Sequence, residues 1–427
     1  MVNPSSSGRR EASTPTTSDT ARTVHLLAAQ FLRNLGPLLI LFLLARMTEP
    51  ETVGTYSLAL AIATPFFVFA QLGMRTVTLT LSPEASFRNY TIVQSAALAI
   101  ALVAACVFGG VWAPQLEAVV LLAALVKVAD AFSELSSGPL QRRGHSLTVF
   151  TASLIAAILV SLAAAVVLAL TRELIPTMLA LATSSLLSAY LFLFRPAHRA
   201  SIVAESEHPP PAAGVRRETR RIAAAGLPLG AAMSLMSLIA TVPQYLVTGS
   251  FGAAETARLA ILLYLFALAD IVTGVLSQAW IPQAQQAARR GAARASILSI
   301  TARATIKWTL AYVPITLIGL LLATWLVPLV FGKAYTLSLA EAIPLGLAIM
   351  ALPSAHFMAT AVAIQNAYVH ALTLAVGSTA LSLATCLVLI PQLGVAGAFW
   401  ALLVSVASRA AIAATVLRLR SRRPRSV

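Results

Sequence analysis

The chain has 427 residues, 58% of them hydrophobic and only 11% charged, with a mean hydropathy of +0.84. An average soluble domain carries about 25% charged residues, so the composition excludes an ordinary soluble fold and indicates a membrane protein. The formal net charge of +15, from 30 Lys and Arg against 15 Asp and Glu, would suit nucleic acid or anionic lipid, but no stacking module or basic recognition helix accompanies it.

Residues 1–24, rich in Ser, Thr and Pro, read as a disordered cytoplasmic tail. They do not read as a signal peptide, because the apolar run that follows is broken by Arg33 and shows no small-residue cleavage site. A membrane span needs about 20 mostly apolar residues. Twelve stretches qualify, at 25–47, 53–76, 90–112, 116–138, 147–170, 173–194, 222–247, 255–279, 303–329, 337–364, 368–390 and 394–416. Short connections such as "TEPE", "WAPQ" and "TRE" make successive helices antiparallel neighbours.

Basic residues in the loops set the orientation. With the N-terminus in the cytoplasm, 21 Lys and Arg fall on the cytoplasmic side, and Arg46, Arg172, Arg258 and Lys333 make 4 outside. This alternation predicts an even number of spans with both termini cytoplasmic in the cell membrane, and it assigns the basic charge to a membrane face. The linker 195–221 divides the spans into two six-helix bundles, 25–194 and 222–416, with a basic tail at 417–427. The bundles echo each other weakly: helices 2 and 8 both open on Glu-Thr, at Glu51 and Glu255. Parallel repeats of this kind are a common transporter plan. Cys106 and Cys386 lie far apart in apolar runs and read as packing residues. No metal spacing, Gly-rich phosphate loop or cofactor motif is present, and no cofactor, metal or catalytic residue is expected.

Four stretches in order carry a resemblance: "RMTEPETVGTYSLALAIATPFFVFAQLGMRT" at 46–76, "FGAAETARLAILLYLFALADIVTGVLSQAWIPQ" at 251–283, "VFGKAYTLSLAEAIPLGLAI" at 330–349 and "IPQLGVAGAFWALLVSV" at 390–406. Together the chain resembles, over roughly 22–417, the polysaccharide flippases of the multidrug, oligosaccharidyl-lipid and polysaccharide exporter superfamily. The resemblance implies an all-α integral membrane protein with about 12 transmembrane helices, its two six-helix bundles forming a V around a central cavity. It also implies a substrate, an undecaprenyl-diphosphate-linked oligosaccharide flipped to the outer leaflet for cell-surface polysaccharide.

Ionisable residues inside the spans are the candidate site, since a lone charge at the bilayer centre costs roughly 2.5–3.5 kcal/mol on insertion scales. Lys127, Asp130 and Glu134 are spaced i, i+3, i+7 on one helical face. They either line a polar cavity, or form an internal pair with Glu134 reaching towards the cytoplasm. Arg33, beside Gln30 and Asn34, lies about 13 Å into the first span. Its guanidinium offers a bidentate contact to a diphosphate, or a partner for a carboxylate on helix 4 or 8. Arg409 is a further substrate contact unless it snorkels to the interface. Asp270 is a candidate for proton or sodium coupling, and His356 is either a packing histidine or a proton relay. Three other readings stay open: a cation-coupled multidrug or toxin antiporter of the same superfamily, a membrane-embedded glycan ligase or polymerase, and a scaffold. Short outer loops speak against the ligase. Expected partners are the lipid-linked glycan, membrane lipids and a coupling ion, with no nucleic acid.

Overall fold

The computed structural model describes residues 17–82, 84–207, 214–289, 294–364 and 368–422. The ends of both predicted tails and the middle of the linker, residues 208–213, lie outside the described residues. Among those described, fourteen α-helices occur and no β-strand. In chain order they are α1 (Thr17–Met47), α2 (Pro50–Ala70), α3 (Met74–Thr80), α4 (Phe87–Trp112), α5 (Glu117–Arg142), α6 (Ser146–Thr171) and α7 (Leu174–Ser188). After a π-helical stretch, Ala189–Phe194, come α8 (Arg195–Glu207), α9 (Val215–Phe251), α10 (Ala253–Arg289), α11 (Arg294–Phe331), α12 (Leu339–Ile364), α13 (Tyr368–Leu393) and α14 (Val395–Arg422).

Eleven helical stretches among the described residues are long and apolar enough to cross a membrane. The twelfth expected span is α5, as long as α4, whose apolar run is broken by Lys127, Asp130 and Glu134. The chain is a multi-pass membrane protein. Helices α6 and α11 show why: Ile158, Leu162, Val166 and Leu170 on one, and Leu310, Leu317, Leu321 and Trp325 on the other, stay exposed. In water such surfaces would be a liability, whereas lipid solvates them.

Local sequence places the helix ends. Pro50 opens α2, where its missing N–H costs nothing. Ser86 caps α4, its hydroxyl accepting from the Asn89 N–H at 3.3 Å. The linker is helical at its start, and Glu205 of α8 accepts from the Phe87 N–H at 2.8 Å. Prolines 37, 65, 228, 243, 344 and 353 sit inside helices, as membrane helices tolerate.

The two expected bundles, 25–194 and 222–416, touch where α2 packs on α9 and on α10. Tyr245 of α9 donates to the Ala61 carbonyl at 2.5 Å, and Ser234 donates to the Pro65 carbonyl at 2.8 Å. Asn89 of α4 donates to the buried carboxylate of Glu218 on α9. At the far end, Arg46 of α1 donates to the Leu329 carbonyl of α11, and Phe42 meets Phe331 edge-on at 6.1 Å. Leu72 and Gly73 both adopt left-handed backbone (φ 51 and 55), which breaks α2 from α3. Against this break lies Gly226 of α9, where a Cβ would come within 2.9 Å of Leu72. Two backbones pass there that no larger residue would let pass.

Candidate functional site

The site grows from α5. Lys127 Nζ lies 3.4 Å from Asp130 Oδ2, one turn along the helix. Glu134 turns instead towards α1 and α3, with Oε1 at 3.2 Å from Arg33 Nη2 and Oε2 at 3.8 Å from Arg75 Nη1. Arg33 also donates to Gln30 Oε1 at 2.9 Å and to Ser137 Oγ at 3.3 Å. Arg75 donates to Gln141 Oε1 at 3.2 Å and to Gln30 Oε1 at 3.3 Å. One carboxylate therefore holds two guanidiniums and ties three helices together. Paired in this way, charges that would be prohibitive alone become tolerable at membrane depth.

Beside this network lies a cavity of about 930 Å³ between the two halves. Arg33, Lys127, Asp130 and Ser133 line it from the first half, and Asp270, Ser405 and Arg409 line it from the second. Asp270 on α10 has two partners: His356 Nε2 of α12 at 2.8 Å and Arg409 Nη2 of α14 at 3.9 Å. Arg409 turns to Asp270 rather than to the membrane interface. Ser57, Thr64, Ser153, Ser161, Ser188, Thr241 and Gln244 add hydroxyl and amide groups to walls that are mostly aliphatic, with Tyr56, Tyr264 and Phe266 as aromatic members.

Several lining residues hold polar atoms without a hydrogen-bond partner: Arg33 Nε, Arg409 Nε, Ser153 Oγ, Ser161 Oγ and Gln244 Oε1. Buried polar groups are normally satisfied, and each lapse calls for an explanation. Here two guanidinium donors, one from each half, stay unused beside one cavity. Such a pair is suited to a ligand carrying oxyanions.

The structure thus brings Arg33, Lys127, Asp130, Asp270 and Arg409 to one cavity, with His356 behind Asp270. It places Glu134 beside that cavity as the counter-ion of Arg33, and the side chain of Asn34 lies outside the described residues. Arg75 is one of the 21 basic residues that the loop pattern assigns to the cytoplasmic side. It belongs to the Arg33–Glu134 network because the left-handed break at Leu72–Gly73 turns α3 back against α5. The stretch "QLGMRT" carries that signal in its glycine.

This geometry predicts a labelling pattern. Single cysteines at 127, 130 and 133, with Cys106 and Cys386 replaced, are expected to react with a small membrane-impermeant thiol reagent at least tenfold faster than cysteines at 128 and 132, which do not line the cavity. Mass-spectrometric counting of adducts measures this. Equal rates at all five positions would contradict the placement of α5.

No protein-family model and no curated protein matches the sequence. Solved structures do match its fold. A lipid II flippase, MurJ, in an inward closed conformation is 12% identical, with 93% of this chain and 88% of that one covered and a TM-score of 0.62. An outward-facing multidrug resistance MATE family transporter of the MOP superfamily is 13% identical, with 96% of each chain covered and a TM-score of 0.60. A MOP superfamily transporter from Pyrococcus furiosus, described by the reversed polarity of its binding pocket, is 11% identical over 96% of each chain with a TM-score of 0.58. At these identities the likeness speaks for architecture alone: this chain has the fold of the MOP superfamily transporters.

Proposed function

We propose that the protein is an alternating-access flippase that carries an undecaprenyl-diphosphate-linked oligosaccharide across the cell membrane. The observation that carries this reading is the pair of buried, incompletely bonded guanidiniums, Arg33 and Arg409, on opposite walls of one cavity. A diphosphate would accept from both at once, and it would compete with Glu134 and Asp270 for them. The hydroxyl and amide groups around the cavity match the first sugars of such a substrate. Asp270 with His356 would carry the coupling proton. The excess of basic residues in the loops supports a cytoplasmic position for the termini and the linker.

Arg33→Ala is expected to lower export of the lipid-linked glycan at least tenfold at equal membrane level, since Glu134 keeps Arg75 as a partner. Arg33→Lys should recover little, because an ammonium is a point charge without the planar fork. Export by the alanine variant at the native rate would overturn the phosphate role.

One observation favours a second reading, a cation-coupled antiporter of amphipathic cations. Asp130 and Asp270 are 52% and 40% exposed, whereas Arg33, Lys127 and Arg409 are 17–21%. The carboxylates therefore meet the cavity contents more openly. Proteoliposomes separate the two readings: cation uptake driven by a pH gradient, without any flipping of lipid-linked glycan, would select the antiporter.

A further inference from the structure

A second concavity lies outside the central cavity, on the other side of the seam between α2 and α9. It is a groove of about 1580 Å³, open along one side. Its walls are α4 and α9, and Pro65, Phe66 and Phe69 of α2 form its floor. The apolar lining runs along α4 from Ile92 through Ile100 to Phe108, all exposed. Sixteen residues of helix measure about 24 Å. At one end stand Arg216, Arg217 and Arg220 on the first turns of α9, all exposed. Nearby Glu218 is buried and engaged with Asn89, so it turns inward and leaves the arginines to whatever occupies the groove.

Three features of the occupant follow. The lining is almost wholly apolar, so the occupant has a hydrocarbon body. Three guanidiniums at one end call for an anionic head, and arginine matches phosphate oxygens in bidentate fashion. A groove of this volume exceeds the roughly 300–1,000 Å³ that suits a small molecule. Its length also decides between lipids. The hydrocarbon core is about 30 Å thick, so one leaflet spans about 15 Å. The acyl chains of a phospholipid would leave the far part of a 24 Å groove uncovered, whereas one long isoprenoid chain would fill it.

We propose that this groove binds a long-chain polyisoprenyl phosphate, its phosphate on Arg216, Arg217 and Arg220 and its chain between α4 and α9. The choice of an isoprenoid chain rests on the groove's length and on the flippase reading. The site is separate from the cavity: Thr64 and Val68 of α2 face the cavity, whereas Pro65, Phe66 and Phe69 face the groove. One wall belongs to the first half and the other to the second, so a bound chain bridges both. The groove would hold a carrier lipid at the protein's flank while the cavity handles the charged head of another.

Native mass spectrometry of the purified, delipidated full-length protein tests this with three probes: undecaprenyl phosphate, farnesyl phosphate and dioleoyl phosphatidylglycerol. Undecaprenyl phosphate is expected to be retained at least tenfold more tightly than either of the others. Arg216→Gln with Arg217→Gln and Arg220→Gln should weaken it about a hundredfold, roughly fivefold per arginine. Arg217→Gln alone should show the fivefold step, which serves if the triple variant does not fold. Ala96→Trp, at an exposed position in the groove, should weaken the isoprenoid without changing the thermal midpoint. Equal retention of phosphatidylglycerol would overturn the isoprenoid assignment. Unchanged affinity in the arginine variants would overturn the groove as the site. Native export by Arg33→Ala would remove the cavity reading and leave these binding measurements standing.

Discussion

Replacing Glu134 with alanine is expected to destabilise the first half by roughly 2–3 kcal/mol, below the 3–5 kcal/mol of a fully buried pair because all three partners are part-exposed. The change leaves Arg33 and Arg75, held 3.2 and 3.8 Å from the lost carboxylate, as two like charges at membrane depth. Thermal unfolding of the purified protein in detergent measures the loss. Glu134→Gln, which keeps an acceptor for Arg33, should recover part of it. Adding Arg75→Ala to Glu134→Ala should recover more, because one stranded cation goes with its counter-ion. A double variant no more stable than the single one would show that Arg75 is not held by Glu134.

The second large effect is expected at Asp270. Asp270→Ala removes the partner of both His356 and Arg409 in one step. Transport of the native substrate should fall at least a hundredfold, and membrane level should fall as well. Asp270→Asn separates the two effects: the amide keeps the contact with His356, so level should return while transport stays low. Arg409→Ala in the Asp270→Ala background should likewise restore level without transport, because no uncompensated guanidinium remains. Transport by Asp270→Asn at the native rate would exclude a charge at 270 from the cycle.

Helix content and the succession of long apolar helices were legible because lipid forces apolar runs of fixed length. The internal charges were legible as a group for the same reason, since Lys127 and Asp270 are conspicuous in such runs. Two of their pairings were among the expected alternatives, Lys127 with Asp130 and Arg33 with a carboxylate of the fourth span, but the direction of Glu134 was not. The i, i+3, i+7 spacing on α5 reads as one face, yet Lys127 and Asp130 pair along the helix while Glu134 leans across to α1 and α3. Helical periodicity gives direction around one axis only, and the neighbour that captures a carboxylate is set by packing between helices. The part Arg75 plays was not legible for a related reason: it lies five residues beyond the end of α2, and only the turn at Leu72 brings it to Glu134. His356 was legible as either a packing or a relay residue, and its 2.8 Å contact with Asp270 puts it in the site's second half.

That turn at Leu72 has a mechanical consequence. A non-glycine residue in left-handed backbone costs of order 1–3 kcal/mol and persists only where its surroundings insist on it. Here the surroundings are α9, whose Gly226 and Gly230 let its backbone come close to Leu72 and whose Leu229 side chain lies beside Gly73. Surfaces packed this closely resist sliding, because a shift along α9 would carry the side chains that flank the two glycines against Leu72. Under the alternating access proposed above, the elbow between α2 and α3 would be the place where α2 and α9 pivot against each other.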